Sequence, residues 1–169
     1  MITDLHCRLL GLVVPRPTPD PVTGVRLEPD AVRQARGLLS LPGLAAGGPA
    51  LGRRDGGEVR VTHLIAGGYP WQVSGPLEME APYVLGAVDA LNQGAEVDWV
   101  GYWVWPGRSH TDQEAFLRAA YDRGLIDEMR PLIVLGRTRE QAIIRAWSGD
   151  EEGEEIPCDP SWTSPADQQ

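Results

Sequence analysis

The stretch from Val97 to Trp105 reads Val-Asp-Trp-Val-Gly-Tyr-Trp-Val-Trp, and it is the most strongly β part of the chain. β-Branched and aromatic side chains fit the pleated surface of a sheet, and Pro106-Gly107 turns the chain out of it. A β-sheet is therefore part of the fold. Regular alternation along this strand puts Trp99, Trp103 and Trp105 on one face and Val100, Tyr102 and Val104 on the other.

The other segments alternate between helix and strand signals. Cys7 to Val14 is a short apolar strand candidate, stopped by Pro15, Pro17, Pro19 and Pro21. Asp30 caps a helix that runs to about Ser40, with Val32, Ala35, Leu38 and Leu39 on one face and Pro42-Gly43 at its end. A Gly-rich stretch over 45–52 and the turn Arg53–Gly57 follow, and Glu58 to Ile65 alternates as a strand. Gly67 to Pro76 reads as loop, with Tyr69 and Trp71 folded over apolar surface. Pro82 suits the first turn of a second helix reaching about Gln93, with Val84, Leu85, Val88 and Leu91 inward and Gly94 as its stop. Thr111 and Glu114 form a capping box for a third helix ending at Gly124. Leu132 to Leu135 is a buried strand, and Ala142 to Trp147 pairs with it. No internal repeat is visible. Strands alternating with helices predict an α/β (α+β) fold, a mixed β-sheet flanked by helices.

With 169 residues the chain suits one domain, expected over residues 1–147 with its core in 25–147. The net charge of −9 argues against a nucleic-acid partner, whose phosphates would repel it. Seven of the acids fall in residues 148–169, so the body is close to neutral. That segment, which contains Pro157, Pro160 and Pro165, predicts a solvated acidic tail that docks through Ile156 or Trp162. All 15 basic residues are Arg, which follows from genome composition or from the advantage of offering no side-chain amine for tagging. Cys7 and Cys158 fit neither a metal knuckle nor a disulfide framework. The apolar run Leu9–Val14 is too short to span a bilayer and lacks a cleavage site behind it, so no membrane is involved and a cytoplasmic location is expected.

One run carries chemical information: Gly101-Tyr102-Trp103-Val104-Trp105-Pro106, followed by Ser109-His110-Thr111-Asp112. It resembles the central motif of the JAB/MPN (JAMM) metalloproteases, a strand ending in His-x-His-Pro with Ser-x-x-Asp at the next helix start. Upstream, Ala45-Ala46-Gly47-Gly48-Pro49-Ala50-Leu51-Gly52 looks like the family's Glu-x-Gly-Gly-x-Leu-Leu-Gly strand. The order of elements over about 25–147 also agrees, which implies a JAB/MPN (cytidine-deaminase-like) architecture. In that family two His and the Asp bind zinc, the Glu is the general base and the Ser stabilises the oxyanion.

The resemblance breaks at the chemistry. Trp103 and Trp105 stand where the family has its zinc-binding His, and Ala45 stands at the base. Only Ser109 and Asp112 remain, and both also suit a helix start. The implied function is a catalytically silent, bacterial-type JAB/MPN-like domain that binds a protein partner, either an active JAB/MPN paralogue or a ubiquitin-like protein, with no cofactor. Candidate binding residues are Trp71, Trp103 and Trp105, the last two either packing in the core or lidding the former metal pocket. The alternative is a zinc-dependent isopeptidase or peptidase with a displaced site built from His63, His110 and Asp112.

Overall fold

The computed structural model describes residues 4–12, 20–40, 46–92, 97–107, 113–137 and 142–160. A mixed sheet of eight strands is packed by helices on both faces. In chain order the elements are α1 (Asp4–Leu9), β1 (Gly24–Leu27), α2 (Pro29–Ser40), β2 (Ala46–Asp55), β3 (Glu58–Leu64) and α3 (Ala81–Asn92). They continue with β4 (Asp98–Trp105), α4 (Gln113–Asp122), β5 (Leu132–Arg137), β6 (Ala142–Trp147), β7 (Glu155–Ile156) and β8 (Cys158–Pro160).

The strand order is β7-β6-β5-β4-β2-β3-β1-β8. β7 and β8 occupy opposite ends of that order, yet only Pro157 separates them in the chain. β7 runs antiparallel to β6, β8 runs parallel to β1, and the Val25 N–H donates to the Pro157 carbonyl at 2.9 Å. Residues 155–160 therefore join the two edges and close the sheet on itself. Closure removes the unpaired ladder groups that an open edge presents.

α2 lies on the enclosed face. Its Ala31, Val32, Ala35 and Leu39 share one core with Val25, Leu27, Val59, Val61, Trp103, Ile133 and Ala146. Pro29 starts the helix, where its missing N–H costs nothing, and the Val32 N–H donates to the Glu28 carbonyl at 3.0 Å. The other face carries two smaller clusters. α1 and α3 bury Leu5, Val84 and Val88 against Leu51 and Trp99. α4 and the turn after it bury Ala120, Leu125 and Ile126 against Tyr102, Val104 and Leu132.

Three sequence expectations change here. The apolar run from Cys7 is not a strand: Asp4–Leu9 is helical, because Leu5 and Leu9 at helical spacing dock against α3 and outweigh the local β preference. Residues 13 and 14 of that run lie outside the described residues.

Nor do the tryptophans of β4 share one face. β2 residues Ala50 and Leu51 face Gly101 and Trp99, so Val100 is an extra residue in β4. This bulge reverses the alternation, sending Trp99 to the α1/α3 side while Val100, Trp103 and Trp105 face α2.

The third change is at the C-terminal side. The segment after Trp147 is not a separate tail: Ile156 and Cys158 pack against the main core, while Glu151 and Glu152 remain exposed. The expected docking of Ile156 is observed, and Trp162 lies outside the described residues.

Candidate functional site

The first residues of β2 lie beside the last residues of β4, with Ala46 opposite Trp105, Gly47 opposite Val104 and Gly48 opposite Trp103. The Gly-rich stretch and the aromatic strand singled out in the sequence are thus neighbours. Ala45, Ser109, His110 and Asp112 lie outside the described residues, as does Thr111 of the expected capping box.

Residues 65–80 cross directly over β2 at this point. The Ile65 N–H donates to the Pro49 carbonyl at 3.1 Å, the Gly67 N–H to the Gly47 carbonyl at 2.7 Å, and the Glu80 N–H to the Gly67 carbonyl at 2.7 Å. The crossing is possible because β2 has no side chains there. A Cβ on Gly47 would collide with the Pro76 carbonyl oxygen, and one on Gly48 with the Ile65 carbonyl oxygen.

β4 grips this crossing segment from both faces of the sheet. On one face the Trp103 indole N–H donates to the Ile65 carbonyl at 2.8 Å; on the other the Tyr102 hydroxyl donates to the Pro76 carbonyl at 2.9 Å. Both residues are fully buried. The segment also braces itself, since the backbone N–H and hydroxyl of Ser74 donate to the Glu78 carboxylate and hold its pKa below the ordinary value. Sequence reasoning did not anticipate these two side-chain grips, because nothing local marks which carbonyl a buried N–H or O–H will meet.

Trp105 is also in the core, and its indole N–H is buried without an acceptor among the described residues. Trp103 and Trp105 therefore fill the interior, and neither indole presents a surface. Trp71 behaves in the opposite way. It is 78% exposed, and its ring stacks on Tyr69 at 4.6 Å and 3° between planes, while Tyr83 of α3 meets Tyr69 edge-on at 4.7 Å. The expected folding of Tyr69 and Trp71 over apolar surface is replaced by stacking between the two rings. Their loop is fixed at its ends by the bonds of Gly67 and Glu80.

The residues present do not fit a zinc ion at the position the JAB/MPN resemblance implies. An indole has no lone pair for a metal, and the Trp103 N–H already serves Ile65. His63 sits opposite Leu51 on β2, five residues from Ala46, or roughly 17 Å along the strand at about 3.4 Å per residue. Its ring nitrogen lies 2.9 Å from the Thr62 hydroxyl. Among the described residues no three His, Cys, Asp or Glu side chains come together as a metal site.

Two buried acids make the fold sensitive to alkali. Burial raises the Tyr102 phenol far above its usual value, and burial followed by the nearby Asp159 charge pushes the Cys158 thiol up to about 12. Both are neutral when protonated, so the unfolded chain releases these protons first as pH rises. Their contribution is fully present below pH 9 and is lost as pH rises beyond the ordinary thiol and phenol values. Each group is expected to cost about 1.4 kcal/mol per pH unit there. Denaturant unfolding between pH 8 and 11 should show this slope, and Cys158→Ala should make it shallower; an unchanged slope in that variant would remove Cys158 from the account.

No known protein family pattern matches the chain, and no curated protein matches it. Solved structures do. The solution structure of protein DSY2949 from Desulfitobacterium hafniense is similar with a TM-score of 0.58 and 17% sequence identity, over 80% of this chain and 92% of that one. At that identity the likeness is one of fold. No described helix is long and apolar enough to cross a membrane.

Proposed function

We propose that this chain is a catalytically silent, bacterial-type JAB/MPN-like domain that serves as a protein-binding or scaffold module in the cytoplasm. The observation that carries the reading is Trp103. An indole stands where the resembled family has a zinc-binding imidazole, and it is wholly buried and hydrogen-bonded to the segment crossing above it. Such a residue is part of the scaffold, and reverting to metal chemistry would require rebuilding the core around it. The order helix, Gly-rich strand, strand, crossing loop, helix, aromatic strand, helix, strand supports the JAB/MPN (cytidine-deaminase-like) architecture. The partner is an active JAB/MPN paralogue or a ubiquitin-like protein, met through the exposed aromatic loop.

Zinc content and hydrolysis of an isopeptide-linked ubiquitin-like substrate test the silence of the site. Protein purified without chelator should hold far less than one equivalent of zinc and cleave nothing. One equivalent of zinc together with hydrolysis would overturn the reading and favour a displaced catalytic centre.

A further inference from the structure

We infer that the Tyr69–Trp71 stack is a docking surface for an extended segment of a partner protein that presents an arginine side chain. The inference rests on reading this chain as a binding module, but not on its kinship to any family.

The geometry of the rings comes first. One face of Trp71 is covered by Tyr69, nearly parallel at 3°, and the residue still leaves 78% of its surface in water. Tyr69 is itself wedged against Tyr83 and is 47% exposed. The result is an aromatic shelf, backed by two further rings, that offers the open face of an indole. The shelf is also pre-set, because the segment carrying it is held on β2 by backbone hydrogen bonds and gripped by Trp103 and Tyr102. A partner therefore loses little binding energy to ordering the loop.

Charge selects the occupant. The segment from Val61 to Glu80, which carries the two rings, contains no Arg or Lys, while it carries Glu78 and Glu80. Glu80 lies within this structure at the edge of the shelf: its carboxylate accepts the Tyr83 N–H at 2.7 Å, and its Cβ is close to Gly68. Arg123 reaches the segment from outside, donating to the Leu77 carbonyl at 3.3 Å, and its charge acts on Glu78, which leaves Glu80 as the carboxylate at the shelf. An open indole face with a carboxylate at its edge attracts a cation, and a planar guanidinium both stacks on the ring and meets the carboxylate. A neutral or acidic segment gains neither contribution.

The test uses the full chain, labelled for NMR, and the capped peptide Gly-Arg-Gly-Arg-Gly beside its Gln-for-Arg counterpart. Saturable shifts of the Trp71 indole N–H and the Tyr69 and Tyr83 ring signals are expected with the Arg peptide. The Gln peptide should bind at least about fivefold more weakly, and raising salt from about 20 to 200 mM should weaken the Arg peptide severalfold. Trp71→Ala should lose about tenfold in affinity, in line with a desolvated cation–π contact, while keeping its melting temperature. Equal binding of the two peptides, better binding of a Pro-rich peptide, or indifference to Trp71→Ala would each overturn the inference. So would shifts that follow protein concentration instead of peptide, which would make a second copy the occupant. None of these results would touch the zinc experiment, whose failure would in turn leave the arginine selectivity standing.

Discussion

Ending the chain at Trp147 is expected to destabilise the domain strongly. The deletion removes β7 and β8, and with them the cover that Ile156 and Cys158 give the main core. It bares the β6 ladder at one edge and the β1 ladder at the other, where Val25 would lose its bond to Pro157. It also breaks the turn in which the Ser148 N–H donates to the Glu154 carbonyl at 2.8 Å and the Gly153 N–H to the Asp150 carboxylate at 2.8 Å. Lost apolar burial and ladder bonds together amount to about 3–5 kcal/mol, or roughly 10–15 °C in melting temperature for a chain of this size. Two open edges should in addition make the product aggregate. The paired control replaces Glu151 and Glu152, which are exposed, by Gln and should leave the melting temperature nearly unchanged. A truncated domain that melts like the intact one would show that closure of the sheet contributes little.

That contrast separates what is legible in the residues from what is not. Local signals carried α2, β3, α3, β4, β5 and β6, because each has a periodic apolar pattern bounded by Gly or Pro. They failed where a contact distant in sequence decides the outcome. Residues 148–160 look like a solvated tail because acids and prolines dominate, and pairing with both sheet edges is a property of the whole closed sheet. Trp99 looks equivalent to Trp103 until one extra residue, Val100, turns it to the opposite face; there the guanidinium of Arg130 lies 4.0 Å from its ring and pairs with Asp127. At the candidate site, the Gly-rich stretch and the aromatic strand each stood out in the residues, but their pairing, with Gly48 opposite Trp103 and Ala46 opposite Trp105, is a property of the sheet. The exposure of Trp71 was not legible either, since an indole flanked by Pro70 and Gln72 gives no sign of which surface it meets.

Replacing Trp103 by His, the residue that the resembled metalloproteases carry there, is expected to cost about 4 kcal/mol of stability. The indole is fully buried among the side chains that line α2, and imidazole leaves much of its volume empty. One imidazole nitrogen can replace the donor to the Ile65 carbonyl, but the other is then a polar atom buried without a partner. Trp103→Phe keeps most of the volume and loses only that hydrogen bond, so it should cost about half as much. Trp105→His should be the milder of the two His variants, because the Trp105 N–H has no acceptor among the described residues, so no existing hydrogen bond is lost with it. Adding Ala45→Glu to both His changes supplies the missing base, yet the triple variant should still neither hold zinc nor cleave an isopeptide bond. The ligands would be in place only in a core that no longer packs around them. Denaturant unfolding of the single variants, followed by zinc analysis of the triple, measures each step. A Trp103→His variant as stable as the parent and binding one equivalent of zinc would show that the indole fills a metal pocket the fold still keeps, and that silence is one substitution deep.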